Sequence, residues 1–534
     1  VLTSVFASRP VLADILDASE GELWDVERLE RHGRFLAESS SAFMDTQRLD
    51  LTSSLKLNAQ ALESAYETIV AALRAGRAIT PAAEWIVDNF HVVTEQLSDI
   101  PLRLNVKVWR GLPAADHQNA VGQPRILHIA LEYLRHTLWQ FNPDSLSRLL
   151  AGYQDVAPLK MQELWALYPI LRIALIDELR RVAVRVEESL AARSAADATA
   201  DSIAYGQWPQ KVEFDFLAPF RVEGRFMSPY IVQLAHRLQG MGEQGRPLLD
   251  ELSVELAKRG TTIDDFIQRQ HARRSASNLA ARNIITSLRA LASFNWRSLF
   301  EANSQVELLL REQQSYSACD RRTRDRYRDC IEELARATRQ DEVGIARQTL
   351  ELLSGEDLGS WLIGPRRPQL EAALQFPVSA SHRMKRWAIR HAQGLYVSTV
   401  MGFTLLLTAV AVYLGAFWEG MPHPSILVLL LLAMFPVSEV AIGFLNRQWL
   451  RAFPARHLPR LALESGLDAD MKTLVVVPTL LRSTHDAVVA CRQLHVHALA
   501  NPDPHMYFAL LSDWGDCATQ HAPDDELILE SARR

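Results

Sequence analysis

The chain has 534 residues, 48% of them hydrophobic and 22% charged, an ordinary balance for a folded protein with room for several domains. A net charge of -6 argues against a nucleic-acid binder, which normally carries a basic excess. The four cysteines (Cys319, Cys330, Cys491 and Cys517) show no CxxC spacing and no accompanying His/Cys cluster, so they fit reduced cytosolic thiols better than a disulfide framework or a zinc site.

The segment "VLTSVFASRPVLADIL" has no basic stretch ahead of its apolar residues and does not read as a signal peptide. A chain opening on Val1 is expected to be a piece of something longer. Residues 1–380 read as helix after helix. "TPAAEWIVDNFHVVTEQL" opens with Thr80 as N-cap and Pro81 in the first turn. A long helical pattern covers 161–194, apolar on one face and rich in Arg and Glu on the other. "SAADATADS" (194–202) reads as a small-residue linker, and "KVEFDFLAPFRVEG" (211–224) as a strand-like patch. Helices resume through "TRDRYRDCIEELARAT", whose "RRTRDRYRD" run of mixed charges predicts a solvated helix face. His91, His236 and His271 are isolated and read as structural. No catalytic signature stands out in this region.

Two stretches predict membrane spans: 395–417, which carries no charge, and 425–445, whose single charge is Glu439. About 20 apolar residues cross a hydrocarbon core of about 30 Å. Arg383, Lys385, Arg386 and Arg390 precede the first; Arg447, Arg451, Arg456 and Arg460 follow the second; the link "WEGMPHP" has no Lys or Arg. Positive residues stay inside, so both flanking regions are expected in the cytoplasm.

After the membrane exit the pattern changes. "TLVVVPT" predicts a strand buried on both faces and ended by Pro478. A helix follows, capped by Ser483 or Thr484 and stopped by Asn501; "HMYFALLSD" is a second strand. Strand, helix, strand makes a βαβ unit with parallel strands. Ligands of open parallel sheets bind outside the carboxyl ends of the strands, so Thr479 and Asp513 are expected to face one crevice, with Asp516 on its rim. A carboxylate there accepts hydrogen bonds from a base or ribose, or helps hold a hard cation; it also serves simply to cap a turn, and "DWGD" is good turn chemistry. The pair His495 and His497, two apart on a helix, points about 200° apart and cannot share a metal.

The stretches "ITPAAEWIVDNFHVV" (79–93), "RNIITSLRALASFNWRSLFE" (282–301), "TRDRYRD" (323–329), "VVVPTLLRS" (475–483) and "LANPDPHMYFALLSDWGD" (499–516) resemble the cyclic β-1,2-glucan synthases, large bacterial inner-membrane enzymes. The resemblance implies a processive glycosyltransferase of GT-A type on the cytosolic face. It would use UDP-glucose as donor and a divalent cation (Mg or Mn), and extend a growing glucan chain. By the match, Pro478 and Thr479 line the uridine pocket, Asp513 is the first acid around the nucleotide, and Asp516 is a weaker carry-over. The family also needs a DxD metal motif, a later acidic base and a QxxRW-type motif, none of which occurs here in proper context. No catalytic or metal-ligating residue is therefore assigned.

The expected architecture is a helical domain (1–200), a second helical subdomain (201–380), the two spans, and an incomplete GT-A-like α/β domain (471–534). The expected function is the N-terminal part of a multi-pass inner-membrane glycosyltransferase, inactive by itself, with both ends cytoplasmic. Its expected partners are the lipid bilayer, a sugar nucleotide and the glucan, with no nucleic acid. The alternatives are a membrane-anchored helical scaffold or regulator with a vestigial βαβ unit, and a different inverting glycosyltransferase with the same front end.

Overall fold

A computed structural model describes residues 22–39, 42–43, 51–103, 112–115, 123–205, 221–222, 225–226, 228–258, 260–353, 355–419, 423–453, 458–463, 466–519 and 522–533. The chain divides into two compact units, Val1–Leu309 and Leu310–Arg534.

The first unit is helical. Helix α1 spans Val26–Ser39 and α2 spans Leu51–Arg74. Thr80 caps α3 (Pro81–Asp88), its hydroxyl accepting from the Ala83 amide at 3.3 Å, as its place before Pro81 predicts. The sequence predicts one continuous helix here; instead the chain breaks at Asn89 and restarts as α4 (Phe90–Arg103). The Asn89 side chain explains the break: Nδ2 donates to the Trp85 carbonyl at 2.8 Å and Oδ1 accepts from Arg289, competing with the helical ladder. Helices α5 (Arg125–His136) and α6 (Pro143–Gln154) follow. Three two-residue strands, β1 (Ala42–Phe43), β2 (Ala114–Ala115) and β3 (Gln123–Pro124), form a small antiparallel sheet.

Helix α7 (Met161–Ala204) is the axis of this unit. Residues 170–179 are buried all round, which corrects the one-sided amphipathic pattern read from the sequence. Its charges are buried because they are paired. Arg172 donates to Gln96 Oε1 at 2.6 Å and to Asp99 Oδ2 at 2.9 Å; Asp177 binds Arg181 and Glu178 binds Arg185, both at 3.0 Å. The segment 194–202 is not a linker but part of this helix. Alanine is the best helix former, and the small side chains of Ala192, Ala196 and Ala200 let Tyr230, Leu234 and Leu238 pack against them. The predicted strand-like patch at 211–224 lies outside the described residues except for its end, where β4 (Arg221–Val222) pairs antiparallel with β5 (Arg225–Phe226). Helices α8 (Ser228–Gly240), α9 (Arg246–Ala257), α10 (Ile263–Ser293) and α11 (Trp296–Asn303) complete the unit, with α12 (Gln305–Arg311) crossing its boundary. His91, His236 and His271 are exposed.

The second unit begins with short helices: α13 (Gln314–Ser317), α14 (Arg321–Thr338), α15 (Glu342–Leu352), α16 (Leu358–Leu362), α17 (Arg367–Ala373) and α18 (Ala380–Arg390). The mixed-charge run on α14 is not wholly solvated: Tyr327 and Arg328 are buried, the latter paired with Asp325. Two long helices, α19 (Ala392–Glu419) and α20 (His423–Ala452), contain the stretches long and apolar enough to cross a membrane, Ala392–Leu414 and Leu430–Ala452. The second lies nearer the C-terminus than the 425–445 read from the sequence. Side chains such as Met401, Leu406, Phe435 and Val440 are exposed, which a helix from a soluble core would not show. The two helices meet through Thr404, Thr408, Val412 and Ala441, all buried, so small residues permit close approach. Tyr396 donates to Asn446 Oδ1 at 2.7 Å and Trp449 Nε1 to Thr399 Oγ1 at 3.3 Å. Beyond α20 the backbone pairs with the start of α14: Asp320 N donates to Arg460 O at 2.7 Å, and Ala462 N to Ala318 O at 2.8 Å.

Candidate functional site

The C-terminal segment is a βαβ unit. Strand β6 (Thr473–Leu481) leads into helix α21 (Thr484–Ala500), and β7 (Met506–Trp514) returns parallel to β6. A final helix, α22 (Asp525–Arg533), packs on α21. Ser483 is the N-cap, its hydroxyl accepting from the Asp486 amide at 3.1 Å, and Asn501 is the C-cap. Asp503 organises the turn into β7 by accepting from the amides of His505 at 2.8 Å and Leu467 at 2.7 Å; these bonds hold its carboxyl below the usual range.

The register fixes where the predicted residues stand. Thr479 pairs with Ser512, Leu480 with Asp513, and Leu481 with Trp514. Thr479 and Asp513 therefore sit one step apart at the carboxyl ends of adjacent parallel strands. Paired residues share a face, and successive residues alternate. Thr479 thus belongs to the face covered by the helices, where Leu481, Ala487 and Ile528 form a small core with Trp514. Asp513 belongs to the opposite face, with Pro478 and Leu480. The expectation of one shared crevice is corrected to a shared end of the sheet with side chains leaving on opposite sides. The parity of the register, which no single strand reveals, decides this.

Two further expectations are corrected. Pro478 does not end the first strand, which continues to Leu481. The second edge of β6 has no neighbour among the described residues, and proline is tolerated on such an edge. Nor is the strand buried on both faces: Leu474 is 59% exposed, Leu480 51% and Leu511 64%. The face carrying Asp513 is an open apolar surface among the described residues. Asp513 Oδ1 accepts from the Trp514 amide at 2.9 Å; Asp516 is exposed beyond the strand, after Gly515. All four cysteines carry free thiols.

A second cluster of chemically capable side chains lies in the first unit. His32 on α1 and Glu132 and His136 on α5 bring their ligand atoms within 4.8 Å of one another. Both imidazole Nε2 atoms approach the same carboxylate oxygen, Glu132 Oε2, at 3.1 Å from His32 and 3.4 Å from His136. Arg135 Nη1 binds the other oxygen at 2.9 Å. Burial pushes the Glu132 carboxyl up, but the bonds from His136 and His32 and the charge of Arg135 outweigh it and leave it well below the usual range. The Trp24 ring stacks on His136 with 3.3 Å between centroids.

No protein-family model matches the chain. It aligns at 32% identity over 544 residues with the cyclic beta-(1,2)-glucan synthase NdvB of Rhizobium meliloti (strain 1021), covering 98% of this chain and 19% of that protein. This chain is similar to a cyclic β-(1,2)-glucan synthase. It spans about a fifth of that relative's length.

The likeness to the glucan synthase runs through both units, so it includes the helical region as well as the βαβ unit. Sequence reasoning passed over His32, Glu132 and His136. A signal was present: "HIALEYLRH" places His128, Glu132 and His136 four residues apart along one helical face. His32, about a hundred residues away in sequence, offers no local clue.

Proposed function

We propose that this chain is the N-terminal portion of a membrane-bound glycosyltransferase that builds cyclic β-1,2-glucan from UDP-glucose. The observation carrying this reading is the 32% identity to the glucan synthase over 98% of the chain. In this reading the βαβ unit opens a GT-A-like domain at the cytosolic face of the inner membrane. Pro478 and Thr479 line the uridine pocket, Asp513 accepts hydrogen bonds from the donor nucleotide, and Asp516 stands on the rim. The adjacent register of Thr479 and Asp513 supports the placement, because the carboxyl ends of parallel strands are where such sheets bind ligands. Their opposite faces make the pocket a crest gripped from both sides of the sheet rather than a cleft on one.

The donor pocket is only part of the chemistry. Inverting transfer needs a base to take the acceptor proton and a charge to neutralise the departing diphosphate. Asp513 and Asp516 suit a Mg or Mn ion as oxygen donors. The base is not assigned to any residue of this chain, so the chain alone binds donor without transferring glucose. The apolar hairpin α19–α20, flanked by Arg383, Lys385, Arg386 and Arg390 before it and Arg447, Arg451, Arg456 and Arg460 after it, keeps both flanks cytoplasmic.

Photolabelling tests this directly. An azido-UDP-glucose probe applied to membranes containing the chain is expected to label peptides from 475–483 and 506–516, with competition by UDP and loss in Asp513→Ala. Labelling that UDP does not compete would sink the reading and favour a membrane-anchored scaffold.

A further inference from the structure

The strongest unassigned feature is the His32, Glu132 and His136 cluster. Two imidazoles and one carboxylate are a donor set that suits zinc. The edges also fit. A tetrahedral ion with bonds of about 2.0–2.1 Å holds its ligand atoms about 3.3 Å apart; the two His–Glu edges measure 3.1 and 3.4 Å. The third edge, between the two rings, lies within 4.8 Å.

The two rings converge through Nε2 on a single oxygen, Glu132 Oε2. Nδ1 of His136 is buried with no hydrogen-bond partner among the described residues, so the ring is held through Nε2 and its stack on Trp24. Arg135 binds Glu132 Oε1, so it orients the carboxylate and leaves Oε2 to the two rings, the role of an outer partner in a metal site. Trp24 covers His136 on one side. The three ligand side chains remain 12–14% exposed, enough for an ion to enter and a water to take the fourth position.

We propose that His32, Glu132 and His136 bind one zinc ion, which fastens α1 to α5 across the first unit. Three protein ligands and a water make the ion exchangeable, and the site is a structural clamp with no assigned chemistry. It is independent of the nucleotide reading, since none of its residues lies in the βαβ unit.

The test uses the full chain purified in detergent, stripped with a chelator, reloaded with Zn2+ and measured by elemental analysis. A single equivalent of zinc per chain is expected in the unaltered protein. His32→Ala and His136→Ala are expected to lose it, and exposed His91→Ala to keep it. Because the alanine variants could unfold, Co2+ loading of the unaltered protein supplies a second reading: ligand-field bands of a four-coordinate nitrogen and oxygen site that Zn2+ bleaches. An unaltered chain that stays helical by circular dichroism yet takes up no stoichiometric zinc or cobalt overturns the proposal. So does full zinc retention in a folded His32→Ala/His136→Ala double variant.

Discussion

Arg125 and Glu163 form a two-pronged ion pair inside the first unit, with Nε to Oε1 and Nη2 to Oε2 both at 2.7 Å. Both side chains are almost fully buried, at 8% and 0% exposure. Glu163 has a second task. Its Oε2 also accepts from the Lys160 amide at 2.9 Å, satisfying the N-cap amide of the 44-residue helix α7. Arg125→Ala strands a buried carboxylate and is expected to cost about 3–5 kcal/mol. Glu163→Ala should cost at least as much, since it removes the cap as well. A paired Arg125→Met/Glu163→Gln change, which keeps a capping side chain, is expected to cost less than either. Urea titration followed by circular dichroism reads all three.

Helices α1 and α6 touch backbone to backbone at two glycines. A Cβ on Gly33 would stand 2.2 Å from Leu149 O, and one on Gly152 would stand 2.1 Å from Glu30 O. Backbone carbonyls cannot swing aside, so either alanine must drive the helices apart. Gly33→Ala and Gly152→Ala are each expected to cost about 1–3 kcal/mol or more. The double change should cost less than the sum, because separation is needed only once. Thermal unfolding of the four proteins in the cycle tests this.

In the apolar hairpin, Tyr396–Asn446 is the shorter of the two hydrogen bonds described above between α19 and α20. Asn446→Ala should weaken the pair by about 0.6 kcal/mol and by no more than about 1.7. Thr408 behaves differently. Its hydroxyl is buried with no hydrogen-bond partner among the described residues, so Thr408→Val is expected to leave the pair unchanged or tighten it slightly. Cross-linking of introduced cysteines across the helix pair in lipid nanodiscs distinguishes the two outcomes.

Glu371 joins the short helix before the hairpin to the rest of the second unit. Its Oε1 accepts from Arg367 Nε at 2.9 Å and Arg386 Nη2 at 2.6 Å. Burial pushes its carboxyl up, but the bonds and charges of Arg386 and Arg367 prevail and hold it below the usual 4.5. A depressed carboxylate contributes stability at pH values above its unfolded pKa and loses it as the pH falls through the folded value. Docking of α18 should therefore be constant near neutrality and weaken only below about pH 4.5. Hydrogen exchange of 380–390, taken relative to the unprotected peptide rate at each pH, is expected to rise on acidification, and Glu371→Gln should flatten the response.

Local chemistry was legible and long-range pairing was not. Thr80 before Pro81, Ser483 before its helix and Asn501 after it declare helix ends through side-chain geometry that spans only a few residues. Two apolar runs of membrane length are equally plain. Asn89 looked like one more helical residue because its break depends on Arg289, about two hundred positions away. The alanine-rich stretch at 194–202 has the composition of a linker and the propensity of a helix, and packing against Tyr230 and Leu234 decides for helix. At the candidate site, the two strands and their parallel order were readable from β-branched runs, but the end of the first was not, since Pro478 lies inside a strand that continues to Leu481. The faces were not, since a shift of one residue in pairing exchanges every side chain.

The backbone pairing of 460–462 with 318–320 has a mechanical corollary. Only the stretch from Ala462 to Thr473 separates that seam from the first strand of the sheet, a leash of at most about 40 Å fully drawn out. The end of the sheet bearing Thr479 and Asp513 is therefore held on a short lead from the helices that precede the apolar hairpin, not as a freely roaming head.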